Sequence, residues 1–519
     1  MIARKSHCGG EKGLFMESST HPTPERSKKT IRTKTAELLR SMLSNIDAAS
    51  AESAQAVGTL SARARIAALL DPNTFVELGA YRCRQAEGEE FEGVICGYGA
   101  IEGLLVFCFA QDFGRMKGAF DDAQAAKIEQ LYTMAQKNGA PVIGIFDSAG
   151  ALVYDGVSAL AGYGRVMRCV SRASGIIPQI AVIPGICAGS AAAIAAMFDL
   201  AITVKGKTQL YVNSPFLVGE NTGTAEFAAE NGLAAIAAET EQAAYNAARQ
   251  LICYLPQNNV EGTVDTCLTD DLNRQLAVDD LLANPAYDMA QLVTAIADSG
   301  DVLELYGSFA PEMMVALASV SGRIVGVVAN RPAVREGVIT VGAARKATKF
   351  ITFCDSLNIP LLTLVDSVGL DVSAEAEGTP YACELGRLAS AYIAAECPKI
   401  SVVIGAAYGA AYTLMGSKSL GADMAFALER SAISVLPPDA AVAFLWNDRV
   451  EGSAPAEKRA ELEAEWRAAC ATPAEAAVRG EIDDIISTAE LRQRVCAAFE
   501  MLAAKSELPA VRRHANLPL

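Results

Sequence analysis

The sequence predicts an α/β protein made of two similar domains, each built around a mainly parallel sheet. Two observations lead to this fold class. The chain of 519 residues matches itself at an offset of 219 positions, which becomes 220 after one inserted residue, in the same order along both halves. In each half, short apolar runs also alternate with longer amphipathic stretches, a pattern typical of βαβ units.

The internal repeat is clearest where buried strands are expected. Residues 141–150 (PVIGIFDSAG) align without a gap with 360–369 (PLLTLVDSVG). One residue is then inserted, and 178–192 (PQIAVIPGICAGSAA) align with 398–412 (PKISVVIGAAYGAAY). Ordered matches of this kind indicate an internal duplication.

Each half is predicted to contain a strand, a helix, a strand, a helix, a strand and a helix, in that order. The first half has them at 104–110, 121–138, 142–146, 157–174, 179–183 and 188–197. The second half has them at 323–329, 341–357, 361–365, 380–395, 399–404 and 408–416. Ligands of such sheets bind at the carboxyl ends of the strands.

The domain organisation follows from the repeat. We expect a disordered tail over 1–30, an N-terminal domain over 31–275 and a C-terminal domain over 276–519. The domains are expected to divide within the polar stretch near 255–290.

The bulk composition excludes several functional classes. A net charge of −16 disfavours nucleic acid as a partner. Neither a secretory h-region nor an apolar run of about 18 to 20 residues is visible, which indicates a cytoplasmic protein. The 13 cysteines form no C-x-x-C pair, so we expect no metal site and interpret Cys96, Cys108, Cys187 and Cys253 as small core residues.

Two strand–glycine–helix turns are the strongest candidates for chemistry. They are residues 185–191 (GICAGSA) and 405–411 (GAAYGAA), at matching places in the repeat. The first N–H groups of a helix have no intrahelical partner and suit a developing oxyanion. Close packing of helix on strand also requires small residues, so both interpretations stay open at this point.

Titrating side chains are weaker candidates for chemistry than the two glycine turns. Asp147 and Asp366, each followed by Ser, x and Gly, fit either general acid/base work or the capping of a turn, and capping is favoured. Arg115 and Lys117 fit either ligand phosphates or a solvated loop. A Ser/His/Asp triad is hard to assemble, because the histidines number three and are confined to His7, His21 and His514.

Several ordered stretches resemble the carboxyltransferase subunits of biotin-dependent acyl-CoA carboxylases and decarboxylases. The likeness runs from about Leu60 to Leu519, and propionyl-CoA carboxylase β subunits and methylmalonyl-CoA decarboxylase α subunits are the nearest in pattern. The stretches include 60–79 (LSARARIAALLDPNTFVELG), 137–151 (KNGAPVIGIFDSAGA), 175–192 (GIIPQIAVIPGICAGSAA), 350–369 (FITFCDSLNIPLLTLVDSVG) and 406–418 (AAYGAAYTLMGSK).

The resemblance implies a duplicated crotonase-like superhelix and a transfer of carboxylate between carboxybiotin and the α-carbon of a short acyl-CoA. Amides around Gly189 and Ser190 would hold the thioester oxygen as an enolate develops. Amides of Gly409, Ala410 and Ala411 would hold the biotin ureido oxygen. Biotin itself would exchange the proton with the α-carbon, so that no protein base is required.

The resemblance also implies binding residues and partners. The expected contacts to the coenzyme A thioester and to biotin come from Arg115, Lys117, Gly150, Ala151, Gly369 and Thr413. Expected partners are a biotin carboxyl carrier protein with a biotin carboxylase, or membrane decarboxylase subunits to which the chain would be peripheral. Family members usually form hexamers, with each site between the first half of one subunit and the second half of another.

Several departures from the family pattern leave alternatives open. Leu152 replaces an Arg, Ser190 replaces the second Gly of a CAGG turn, and Thr413 occupies a position that often carries a substrate-selecting Asp. The acyl group is therefore open. The alternatives are a non-catalytic or partly active paralogue of such a subunit, and a single-site crotonase-like acyl-CoA enzyme.

Overall fold

The structure, a computed structural model, describes residues 36–82, 93–219, 222–262, 264–266, 270–450 and 455–507. The tail predicted over 1–30 lies outside these described residues. The domain boundary near 275 stays a prediction.

The first half forms a seven-stranded sheet with the order β1-β2-β3-β4-β5-β7-β9. Its first three strands pair antiparallel, and all pairs from β3 to β9 are parallel. Strands β6 and β8 form a separate parallel pair. The bounds are β1 Val76–Glu77, β2 Val94–Ile101, β3 Leu104–Gln111, β4 Val142–Ile145, β5 Gln179–Ile183, β6 Ile186–Ala188, β7 Leu200–Val204, β8 Gln209–Tyr211 and β9 Ile236–Ala238.

Eight α-helices accompany this sheet within the described residues. They are α1 Ala36–Ala56, α2 Ala62–Leu69, α3 Asp122–Asn138, α4 Val157–Ala173, α5 Ser190–Met197, α6 Pro215–Val218, α7 Ala225–Glu230 and α8 Glu241–Tyr254.

The second half repeats the same arrangement. Its main sheet has the order β10-β11-β12-β13-β14-β15-β17, again with two antiparallel pairs followed by parallel ones, and β16 pairs with the end of β14. The bounds are β10 Val302–Leu305, β11 Met313–Val320, β12 Arg323–Asn330, β13 Leu361–Ser367, β14 Lys399–Tyr408, β15 Met424–Leu428, β16 Ala432–Ser434 and β17 Asp484–Ile486.

Ten α-helices belong to the described part of this half. They are α9 Asp279–Ala283, α10 Met289–Ile296, α11 Val341–Ser356, α12 Ala374–Glu377, α13 Tyr381–Ala394, α14 Ala410–Leu414, α15 Pro438–Leu445, α16 Pro455–Cys470, α17 Pro473–Val478 and α18 Leu491–Leu502.

The predicted α/β fold with two similar domains is confirmed. Both predicted third helices begin two residues too early, however, because Ala188 and Tyr408 belong to strands β6 and β14. Small residues on either side of the glycine hide this change from strand to helix in the sequence.

Packing joins the two halves. One cluster of buried residues contains Ile143 and Ile180 of the first half together with Phe350 and Leu361 of the second. The Tyr306 N–H also donates a hydrogen bond to the Ala235 carbonyl at 2.8 Å. Among the helices described here, none is both long and apolar enough to span a bilayer.

Candidate active site

The first glycine turn joins β6 to α5. Gly189 has φ 64° and ψ −126°, a conformation that favours glycine, and its N–H donates to the Tyr211 carbonyl at 2.9 Å. The N–H groups of Ser190 and Ala191 make no hydrogen bond within the described residues. Gly189 therefore supplies the bend, and the two amides after it are the donors still available at this turn.

The second turn joins β14 to α14 in the same way. Gly409 has φ 57° and ψ −134°, and its N–H donates to the Ser434 carbonyl at 2.9 Å. Among the described residues, no acceptor receives the N–H groups of Ala410 and Ala411. The duplicated turns thus leave the same pair of amides without an acceptor in the described structure.

A second loop lies beside each turn. After β4, the Ser148 hydroxyl accepts the Gly150 N–H at 3.2 Å, and the Gly150 carbonyl accepts the Phe120 N–H. This leaves the Ala151 N–H without an acceptor in the described part of the chain.

The loop after β13 has the same arrangement in the second half. The Ser367 hydroxyl accepts the Gly369 N–H at 3.2 Å, and the Leu370 N–H is left without an acceptor among the residues described. Sequence reasoning missed Leu370, although the 219-residue offset pairs it with Ala151.

Each loop pairs with its turn at the carboxyl ends of the strands. Ser148 bridges to Cys187, and the Ser148 N–H donates to the Ile186 carbonyl at 2.6 Å. In the second half Ser367 pairs with Ala407. Donors from a loop and donors from a helix start therefore lie at the same strand edge in each half.

Asp147 and Asp366 support the turns. Asp147 is buried, and its Oδ1 accepts the Ile186 N–H at 3.1 Å. Oδ1 of Asp366 accepts the Ala406 N–H at 2.8 Å. A Cβ at Gly185 or Gly405 would lie 2.3 Å from the neighbouring carboxylate. These contacts favour capping over general acid/base work for both carboxylates.

Arg65 is a supporting residue that sequence reasoning missed. Its side chain is 1% exposed, with Nη1 2.6 Å from Asp147 Oδ2 and Nε 2.8 Å from Glu241 Oε1. A buried cation needs such partners. The available signal was an arginine on the buried face of α2, between Ala62 and Ile66.

The two basic candidates, Arg115 and Lys117, differ in whether their charges are already paired. Arg115 forms ion pairs with Asp112 at 3.2 Å and with Asp47 at 3.8 Å. Lys117 is exposed, has no ion pair among the described residues, and lines a cavity of about 340 Å³ with Met116 and Phe113. Lys117 is therefore the freer cation for an anionic ligand.

A larger, mostly apolar cavity of about 890 Å³ opens at the second turn. Thr413 is exposed there. The lining includes Gly409, Ala410, Tyr412, Thr413, Val435 and Trp466. Free amides and an apolar wall are thus combined at this site.

The cysteines do not form part of the donor set. The ten described cysteines are unpaired, and burial raises the pKa of the Cys96 thiol to about 12 and that of Cys187 above its ordinary range. Cys253 is half-buried. Within the described ranges, no three His, Cys, Asp or Glu side chains are grouped to bind a metal.

Fold and site together define a duplicated α/β scaffold with backbone amides that lack an acceptor in the described structure at matching strand edges. The carboxyl transferase domain family matches residues 53–517. The methylmalonyl-CoA decarboxylase α subunit of Propionigenium modestum is 36% identical over 491 residues, which cover 90% of this chain and 95% of that protein. The methylmalonyl-CoA carboxyltransferase 12S subunit of Propionibacterium freudenreichii subsp. shermanii is 34% identical over 482 residues, covering 89% and 92%.

A solved structure has the same fold as this chain. Transcarboxylase 12S, described as a hexamer with hydrolysed methylmalonyl-coenzyme A bound, superposes with a TM-score of 0.88 at 32% identity, covering 93% of this chain and 98% of that one. The chain belongs to the carboxyl transferase family and is an acyl-CoA carboxyltransferase. The expected duplicated crotonase-like fold is confirmed.

Proposed function

We propose that this chain moves a carboxyl group between biotin on a partner protein and the α-carbon of a short acyl-CoA of the propionyl or methylmalonyl type. The observation that carries the proposal is the duplicated set of free backbone amides, one beside each strand edge. Each set suits one developing negative charge.

The first-half amides of Ala151, Ser190 and Ala191 would hold the thioester oxygen. When the C–C bond to the departing carboxylate breaks, the electron pair moves onto that oxygen as an enolate, and these donors stabilise it. Lys117, at the 340 Å³ cavity, would meet the CoA phosphates. Arg115 would contribute less, because Asp112 and Asp47 already compensate its charge.

The second half fits a biotin head group. Biotin supplies a ureido nitrogen that accepts or gives up the carboxyl group. The 890 Å³ cavity offers apolar walls for the bicyclic ring, and the Ala410 and Ala411 amides are oriented by Gly409 for the ureido oxygen. Thr413, a neutral residue, would adjoin the acyl or biotin group.

No described side chain needs to act as a base. The carboxylate beside the first turn, Asp147, is bound to Arg65 and to the Ile186 amide. Proton exchange between the α-carbon and biotin fits this arrangement.

The proposal also covers the oligomeric state of the chain and its location in the cell. Both halves carry highly exposed apolar side chains, including Tyr154 at 97%, Phe216 at 99% and Phe444 at 82%. Patches of this kind mark protein–protein contacts. We infer a hexamer in the cytoplasm, served by a biotin carrier with a biotin carboxylase or by membrane decarboxylase subunits.

The test is decarboxylation of carboxyl-labelled methylmalonyl-CoA by the purified chain with and without free biotin, with malonyl-CoA for comparison. We expect label release that requires biotin. Release without biotin would contradict the proposal and favour the single-site crotonase-like alternative. Tight methylmalonyl-CoA binding without release, even when the carrier is added, would favour the non-catalytic paralogue suggested by Ser190 and Leu152.

A further inference from the structure

The duplicated aspartates hold equivalent turns with different partners. Asp147 Oδ2 contacts a permanent cation, Arg65, at 2.6 Å. Asp366 Oδ2 instead accepts a hydrogen bond from the neutral Tyr287 hydroxyl at 2.9 Å. Tyr287 lies just before α10, is 3% exposed and belongs to the core under the second sheet.

The Asp366 carboxylate is fixed from two sides. Its Oδ1 accepts the Ala406 N–H at 2.8 Å, while Gly405 packs so closely that a Cβ would lie 2.3 Å from Oδ2. Ala406 lies on strand β14, three residues before Gly409, which follows the end of that strand. The Ala406 amide and a short stretch of backbone therefore connect the carboxylate to the donor pair at Ala410 and Ala411.

The charged and titratable groups facing Asp366 are few in the described structure. They are Tyr287, Tyr408 and Arg430. Burial raises the pKa of the Asp366 carboxyl above its ordinary value, and hydrogen bonds from Ala406 and Tyr287 oppose that rise. Burial also raises the pKa of Tyr287 well above its ordinary range, so its hydroxyl keeps the proton it donates.

We propose that Tyr287 is a positioning residue of the second turn, which acts by holding the ionised Asp366 carboxylate against the Ala406 amide. As pH falls and Asp366 takes up a proton, one of its acceptor positions becomes a donor. The turn then loses a contact, and the site at Gly409 weakens. Loss of the Tyr287 hydroxyl removes a hydrogen bond that favours the ionised form, so the same weakening begins at a higher pH.

The kinetic test rests on the proposed function and uses the full-length chain. The pH dependence of kcat/KM for free biotin is measured for the wild type and for Tyr287→Phe. We expect the acid limb, the fall of kcat/KM on the low-pH side of the profile, to move to higher pH by about one unit in the variant. This is the shift that loss of one hydrogen bond to a charged acceptor produces. The KM for methylmalonyl-CoA should keep its wild-type pH dependence.

Tyr245→Phe is the matched control. Tyr245 is equally buried, and its hydroxyl also donates to a carboxylate, Glu241 Oε1, at 2.8 Å, but in the first half. It should leave the acid limb for biotin in place. Asp366→Asn retains an acceptor for the Ala406 amide without titrating, so it should flatten the acid limb and be more active than Asp366→Ala.

A second readout needs no activity. Amide hydrogen exchange of peptides containing Ala406 and Ile186 is followed by mass spectrometry, corrected for the intrinsic effect of pH. We expect Tyr287→Phe to reduce protection at Ala406 and to spare Ile186, whose acceptor is paired with Arg65. If wild type shows no biotin-dependent turnover, the proposed function fails while exchange still decides this proposal. Unchanged protection at Ala406 overturns it, as does an acid limb that Tyr287→Phe leaves in place.

Discussion

Gly185 and Gly405 show how single residues define the site. Each lies directly against the carboxylate of a duplicated aspartate, where a side chain has no room. The aspartates in turn accept the amides of Ile186 and Ala406. The absence of a Cβ is thus what allows each strand end to be fixed by a neighbouring carboxylate.

Gly185→Ala and Gly405→Ala should each destabilise the protein by roughly 1–3 kcal/mol, since the new methyl group overpacks against the carboxylate. Thermal unfolding followed by circular dichroism, with the decarboxylation assay, checks this. Gly164→Ala is the control, because a Cβ there meets nothing within 4 Å on helix α4. It should be neutral or slightly stabilising. Equal melting temperatures for all three variants would contradict the close contact.

Ser190→Pro tests the backbone donor directly. Proline is tolerated at the first position of a helix and removes only an N–H that is free here. If that amide stabilises the enolate, kcat should fall about 100-fold to 1,000-fold with little change in melting temperature.

Ser190→Ala is the matched comparison, because it retains the amide and removes only the hydroxyl. It should stay close to wild type in kcat. A Ser190→Pro variant with normal kcat would mean that this amide does not contact the developing charge.

At the scale of elements, the repeat conserves the way in which helices begin. Asp121 accepts the Gln124 N–H at 2.8 Å before α3, and the equivalent Thr340 accepts the Ala343 N–H at 3.0 Å before α11. Both residues are buried and lie 219 positions apart. The same N-cap position has therefore kept its role with two different side chains.

Asp121→Ala and Thr340→Ala should each lower the free energy of unfolding by about 1 kcal/mol or more, because each leaves a helix N–H unsatisfied. Thr340→Ala also removes the hydroxyl that donates to the buried Glu312 carboxylate, so its loss should be the larger. Urea denaturation measures the loss. Thr352→Ala is the control: its hydroxyl donates to the Thr348 carbonyl on the exposed face of α11. If Thr352→Ala lowers the free energy of unfolding as much as the two capping variants do, the capping argument is wrong.

The strands and helices that were predicted in each half are present in the structure, and the reason is local. The first antiparallel strands of each sheet, β1, β2, β10 and β11, and short strands such as β6 and β8 were not predicted. Buried parallel strands such as β4 and β5 are short apolar runs ended by turn residues, so their bounds follow from the sequence within a residue or two. The starts of α5 and α14 were misplaced, since Ala, Ser and Tyr fit both a strand end and a helix start.

The supports of the site were not predictable, because they come from distant parts of the chain. Arg65 meets Asp147 across 82 residues, and Tyr287 meets Asp366 across 79. Neither contact has a signal in local periodicity. The candidate donors were found only because the alignment of the two halves places similar turns at equivalent positions. The same alignment pairs Leu370 with Ala151 and would have revealed Leu370 as well.

At the scale of the whole molecule, the two donor sets belong to equivalent edges of two different sheets. The first set follows β4 and β6, and the second follows β13 and β14. Each half has its own exposed apolar residues, such as Phe216 in the first and Phe444 in the second. A complete site in the proposed hexamer would join unlike halves of neighbouring chains.

Two inactive variants should therefore restore activity when combined. Ser190→Pro disables the first half and Ala410→Pro the second. In a mixed pair, one site carries both defects and the other carries neither. With random pairing at equal amounts, half the pairs are mixed and each retains one site of two, so activity should recover to about one quarter of wild type. Co-expression of the two variants with different affinity tags, followed by an assay of biotin-dependent decarboxylation, measures this recovery.

Mixtures of separately assembled oligomers, which exchange no subunits, are the control and should stay inactive. Absence of recovery in doubly tagged oligomers would mean that each site is completed within a single chain.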